Sequence, residues 1–106
     1  MTHHFEADVW YWRGPAPFYF ATVPPEIAAE IRALQKSASY GWGMMPVNAQ
    51  VGNSRWRTAM FPKDGSYVLP LKDAIRKAED IEEGSSIQVT LEIELPFERR
   101  QSLGDT

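Results

Sequence analysis

The sequence predicts a mainly β fold, a single small closed or split β-barrel of about six strands with two short α-helices. The chain has 106 residues, enough for one hydrophobic core but too few for two. Several segments alternate apolar and polar residues, as half-buried strands do. In addition, "YFATVPPEIAAEI" and "GSYVLPLKDAIRK" both run from a strand through a proline into an amphipathic helix. Two such strand–helix–strand halves can bury their apolar sheet faces against each other, and closure of the barrel removes open edges.

The first two predicted strands form a hairpin that is rich in aromatic residues. "FEADVWYW" alternates, "RGPAP" favours a turn through its glycine and prolines, and "FYFATV" has the composition of a strand. Val9 and Tyr11 fall on the apolar face of the first strand, and we expect them to join the phenylalanines of the second strand in the barrel wall. Trp10 and Trp12 share a face with acidic residues, so they are the best candidates for exposed aromatics.

The remaining elements follow in order along the chain. "PPEIAAEIRALQK" and "LKDAIRKAEDI" have apolar residues at helical spacing, and Gly84 provides a stop or turn after the second helix. "PVNAQV" and "SRWRTAMF" flank a Gly-Asn pair suited to a tight hairpin turn. "SYVLP" and "IQVTLEIEL" complete the strands. We expect Trp42 to plug one end of the barrel, residues 1–95 to form the domain and residues 96–106 to form a flexible tail.

The composition limits the chemistry that this domain can carry. There is no cysteine, which excludes disulfides, thiolate zinc sites and thiol nucleophiles. His3 and His4 are the only histidines, and they lie at a terminus that we expect to fray. We therefore expect no Ser-His-Asp triad, no metal site, no cofactor and no enzyme activity. Without a signal-like N-terminus or a long apolar run, the prediction is a cytoplasmic protein with no membrane contact.

Four segments of the chain resemble a known family, the small bacterial domain of unknown function 1905. They are "FYFATVP", "WRTAMFP", "GSYVLPLKDAIRKAEDIEEG" and "SIQVTLEIEL", and the likeness runs from Phe5 to Leu95. The second half is also similar to the swapped-hairpin regulators AbrB and MazE. The resemblance implies a double-split β-barrel with both halves in one chain. It implies no function, because fold alone does not specify one.

Basic residues provide the candidate binding site. Arg55 and Arg57 are two apart on one predicted strand, so they share a face. Lys72 and Arg76 are four apart on a predicted helix, where like charges repel, and Lys72 also opposes the dipole of the first turn. Such local penalties can mark a site that awaits an anion. Together with Trp12, these residues predict a cleft for an anionic ligand; the alternative is that both pairs are ordinary solvated charges.

The leading functional prediction is a small non-enzymatic binding module for an anionic small ligand or peptide. One alternative is a DNA-binding regulator of the AbrB type, although the net charge of -3 disfavours nucleic acid. Another is an accessory domain that acts through a protein partner. An enzyme would need a buried ionisable group with a shifted pKa inside a cleft. We expect a monomer because both halves are present in the chain, with a swapped homodimer as the alternative.

Overall fold

The structure is a computed structural model that describes residues 2–33 and 44–93. Within these residues, six antiparallel strands form a closed barrel in the order β1-β2-β5-β4-β3-β6, with two short helices. The elements are β1 (Thr2–Trp12), β2 (Phe18–Thr22), α1 (Pro25–Ala33), β3 (Met45–Val51), β4 (Ser54–Lys63), β5 (Ser66–Leu71), α2 (Asp73–Ala78) and β6 (Ser86–Ile93). The predicted fold class is confirmed. The predicted plug at Trp42 and the tail lie outside the described residues.

The strand pairing has an internal two-fold pattern. The long strands β1 and β4 are each divided between two neighbours: β1 pairs with β6 and then β2, and β4 pairs with β3 and then β5. Exchanging β1 with β4, β2 with β5 and β3 with β6 maps every pairing onto another pairing or onto itself. This is the topology expected of two equivalent halves, and in each half a helix of the described residues follows the second strand.

The barrel core consists of the inward face of every strand. In β6 the inward residues Ile87, Val89, Leu91 and Ile93 are all buried, as their alternation predicts. Trp56 also belongs to the core, where its Nε1 donates to the Pro70 carbonyl over 3.3 Å. The helix α1 adds its buried residues to the same cluster, which closes the barrel on that side. No helix in the described ranges is long and apolar enough to cross a membrane.

The start of the chain is ordered, so the prediction of a frayed histidine pair was wrong. β1 begins at Thr2 because β6 extends far enough to pair with it, and His3 stands opposite Leu91 in this ladder. The His3 side chain is buried, and its Nδ1 lies 3.1 Å from Oε1 of Glu30 on α1. The histidine therefore links the first strand to the first helix.

The second helix ends earlier than its sequence pattern indicates. Asp80 adopts a left-handed conformation with φ of 56°, and the Ile81 N–H donates to the Arg76 carbonyl over 2.8 Å. This is the Schellman arrangement, which returns the chain to the core through the buried Ile81. Glycine usually occupies the left-handed position, so the stop was not evident from the sequence. Gly84 belongs to the following turn, where its N–H donates to the Val9 carbonyl over 2.7 Å.

The aromatic hairpin separates its rings between the two faces of the sheet. Trp10 stands opposite Phe20 and Trp12 opposite Phe18, so these four rings share the outer face. The prediction that the phenylalanines join Val9 and Tyr11 in the barrel wall was wrong. With Phe61 of β4 they form what we call the outer aromatic cluster. Trp12 is 40% exposed, as predicted, whereas Trp10 is half-buried.

Candidate functional site

A polar surface covers the outer side of four adjacent strands, β1, β6, β3 and β4. Cross-strand partners share one face of a sheet, so the pairing register defines two rows of side chains. The first row is Thr2, Glu92, Asn48 and Arg57, and the second is His4, Thr90, Gln50 and Arg55. We call this surface the polar face. Each of these residues is adjacent in its strand to a buried residue.

The polar face contains a cleft of about 440 Å³. Its lining consists of Thr2, Asn48, Ala49, Gln50, Arg55, Trp56, Arg57, Thr90 and Glu92. The structure therefore brings the predicted residues Arg55 and Arg57 into one site. Strands β1, β6 and β3 supply the other polar groups, which the sequence analysis had not selected.

Hydrogen bonds fix several of these side chains in place. Arg55 Nε donates to Gln50 Oε1 over 3.1 Å, and Gln50 Nε2 donates to the Gly52 carbonyl over 3.0 Å. The amide of Gln50 is thus held at both ends, and it orients the guanidinium of Arg55. In the same row, His4 Nδ1 lies 3.1 Å from Thr90 Oγ1. A guanidinium held through Nε can still present its two terminal nitrogens to a carboxylate or phosphate.

Charge on the polar face is sorted by strand. Both arginines are on β4, the neutral amides Asn48 and Gln50 are on β3, and Glu92 is on β6. The outward positions of β1 add further carboxylates, including Glu6, which accepts a hydrogen bond from Ser86 Oγ over 2.5 Å. Across the face, the side chains therefore change from positive on β4 to negative on β6 and β1.

Arg76 and Lys72 lie elsewhere, on and beside α2, and neither lines the cleft. Arg76 Nη2 donates to Asp73 Oδ1 over 2.8 Å, and its guanidinium carbon lies 3.7 Å from the centroid of the Tyr19 ring. The hydrogen bond from Arg76 lowers the pKa of Asp73 below its ordinary value. Only 18% of the Arg76 side chain is exposed, so this residue fastens α2 to the barrel end. Lys72 is the N-cap residue of α2 and is exposed.

Trp12 belongs to the outer aromatic cluster and does not line the arginine cleft. Lys63 Nζ lies 5.3 Å from the centroid of its ring, a cation–π contact between β1 and the end of β4. Beside it, Trp10, Thr22, Lys63, Asp64, Ser66 and Val68 line a second cleft of about 300 Å³. The five predicted residues are thus distributed over three places: the polar face, α2 and the outer aromatic cluster.

The sequence gives only part of the information needed to find the site residues that the sequence analysis missed. The alternation of β6 shows that Thr90 and Glu92 share a solvent-facing side. It does not show that β6 lies next to β3, which is the fact that brings Glu92 into one cleft with Arg57. Within the two described ranges, no group of three or more His, Cys, Asp or Glu side chains is placed to hold a metal ion.

The fold and the cleft together define the class of the molecule. It is a small antiparallel β-barrel domain, closed within one chain by two equivalent halves, with a charged cleft on the outer side of the sheet. The chain belongs to the family described as Domain of unknown function (DUF1905), which matches residues 5–91. The resemblance drawn from the four sequence segments is confirmed. A comparison with curated proteins finds no match.

Proposed function

We propose that this protein is a non-enzymatic binding module that holds the anionic group of a small ligand or peptide at Arg55 and Arg57. The observation that carries the proposal is that Arg55 and Arg57 both line one cleft of about 440 Å³. Arginine suits this role because its planar donors match the two oxygens of a carboxylate or phosphate.

The surroundings of the arginines support recognition of a polar ligand. Gln50 holds Arg55 through its amide, so part of the conformational cost of ordering that side chain is met before the ligand arrives. Asn48 and Thr90 add amide and hydroxyl groups to the same lining. A hydrogen bond to a charged group contributes about 1.5–3 kcal/mol, so removal of one arginine corresponds to a loss of roughly tenfold to hundredfold in affinity.

Two further observations support the proposal. The first favours a binding module over an enzyme, and the second favours a monomer over a swapped dimer. The chain has no cysteine, and its histidines make contacts that tie strands and helix together: His3 with Glu30, and His4 with Thr90. All six strands of the closed barrel come from one chain. We expect the protein to elute from gel filtration at the mass of a monomer.

The proposal is tested by titrating the protein with phosphate, nucleotides, sugar phosphates and acidic peptides, followed by amide chemical shifts in NMR spectra. We expect shifts in β3 and β4, and at least a tenfold weaker affinity in the Arg55→Gln and Arg57→Gln variants. Arg13→Gln is the matched control, because Arg13 is exposed and pairs with Glu83 away from the cleft. Its affinity should equal that of the wild type.

Two results would overturn the proposal. One is the absence of shifts at the polar face with every anion in the series. The other is binding that is equally strong in the double variant lacking both arginines. A duplex DNA sample in the same series tests the AbrB-type alternative: DNA binding that falls with salt and does not depend on Arg55 or Arg57 would favour that alternative.

A further inference from the structure

The cleft on the polar face carries opposite charges at its two ends. Arg55 and Arg57 line one side and Glu92 lines the other, and all three belong to the same cleft. In the first row, Glu92 stands opposite Asn48, and Asn48 stands opposite Arg57. A ligand that fills the cleft therefore meets both a positive and a negative side chain.

The distance between the two ends follows from sheet geometry. Neighbouring strands are about 4.8 Å apart, and Glu92 and Arg57 lie on strands separated by β3, so their backbones are about 10 Å apart. An extended peptide advances about 3.4 Å per residue, so three residues span the same distance. The amide side chains of Asn48 and Gln50 lie between the charged ends, where they face the middle of such a ligand.

From this charge arrangement, and resting on the proposed function, we propose that the ligand is a short zwitterionic peptide of about three residues with both termini free. Its carboxylate binds Arg55 and Arg57, and its ammonium group binds Glu92. A ligand with negative charge at both ends would place the second charge against Glu92, and further carboxylates of β1, including Glu6, follow on the same face. Long polyanions, such as nucleic acid, meet the same repulsion.

The test compares tri-alanine with its N-acetylated form, which lacks the ammonium group, and with its C-terminal amide, which lacks the carboxylate. Affinities are measured from amide chemical shifts in the wild type and in Glu92→Gln. We expect acetylation to weaken binding about tenfold in the wild type and to have no effect in Glu92→Gln. Amidation should weaken binding at least tenfold in both proteins. Glu82→Gln, a change at an exposed carboxylate away from the cleft, should behave like the wild type.

The length of the ligand gives a second readout that does not depend on a substitution. Di-alanine is too short to reach both ends, so it should bind more weakly than tri-alanine, and acetylation should change its affinity less. If acetylated and free tri-alanine bind equally well and both depend on Arg55, the zwitterion inference is wrong and the anion-binding function stands. If tri-alanine and the anion series both fail to bind through the arginines, both proposals are wrong.

Discussion

Phe20 is the centre of the outer aromatic cluster, and replacing it with alanine tests whether that cluster stabilises the barrel. Its ring centroid lies 5.2 Å from Trp10, 6.3 Å from Trp12, 5.8 Å from Phe18 and 5.5 Å from Phe61. Phe20 is only 5% exposed, although it points away from the barrel core. The four surrounding rings therefore bury it on the outer side of the sheet.

The expected cost of Phe20→Ala follows from this burial. Truncation of a buried phenylalanine costs about 3–5 kcal/mol, and each ring pair adds about 0.5–1.5 kcal/mol beyond its buried area. The four pairs share one ring, so their contributions do not add fully. The vacated space also opens toward the exposed Trp12, which lets the neighbouring rings close over it. We therefore expect the lower end, about 3 kcal/mol, and a melting temperature lower by roughly 12 °C or more.

The assay is urea unfolding followed by far-ultraviolet circular dichroism, which does not depend on tryptophan emission. Trp12→Ala is the matched control: this ring is 40% exposed and meets Phe20 at the cluster edge, so its loss should cost less than about 1.5 kcal/mol. A cost below about 1 kcal/mol for Phe20→Ala would refute the reasoning. The rings would then be a surface that contributes little to the stability of the barrel.

Two other predictions concern the backbone and a buried phenol. Asp80→Gly should raise the free energy of unfolding by about 0.5–1 kcal/mol in urea titrations, because glycine adopts the left-handed φ of 56° without steric cost. Tyr67→Phe should reduce the loss of stability at alkaline pH. Burial raises the pKa of Tyr67 above its ordinary value of 10.0, an effect that the nearby Arg32 partly opposes. The folded state holds the phenol proton more tightly than the unfolded state does. The protonated phenol therefore contributes its full share to the free energy of unfolding below pH 10, and this contribution is lost as the pH rises through the raised pKa of Tyr67.

Each of these predictions has its own control. Asp80→Ala removes the same carboxylate but keeps a β-carbon, so it should not stabilise the protein; equal gains for alanine and glycine would contradict the backbone argument. For Tyr67→Phe, unfolding is measured between pH 8 and 12, and Tyr11→Phe, at a half-buried position, is the comparison. If the free energy of unfolding of Tyr67→Phe falls with pH as steeply as that of the wild type, the Tyr67 phenol does not contribute to the pH dependence.

The strands and their inward faces could be predicted from the sequence because a strand that is buried on one side alternates apolar and polar residues. "IQVTLEIEL" shows this most clearly, and every inward residue of β6 that it indicates is buried. The opening hairpin lacked so clear a pattern. In "VWYW" both faces are aromatic, so the pattern did not show which rings join the core and which pack outside it.

The candidate site could be predicted only in its local part. Arg55 and Arg57 share a face because they are two apart on one strand, a relation that needs no knowledge of the fold. Lys72 and Arg76 were grouped with them by charge alone, but Arg76 stacks on Tyr19 and bonds to Asp73 at the barrel end. Which charged residues meet is decided by the order of strands around the barrel, and alternation within a strand contains no information about that order.

The pairing of β1 with β6 has a consequence for folding during synthesis on the ribosome. These strands join the two ends of the barrel sequence, and their partners are about eighty to ninety residues apart in the chain. At a synthesis rate of about 5–20 residues per second, about 4–18 seconds pass between the synthesis of β1 and that of its partners in β6. During that interval the edge of β1 that pairs with β6 in the finished fold has no strand to pair with. The hairpins β1–β2 and β4–β5 can form locally, but the barrel closes only after translation has passed its last strand.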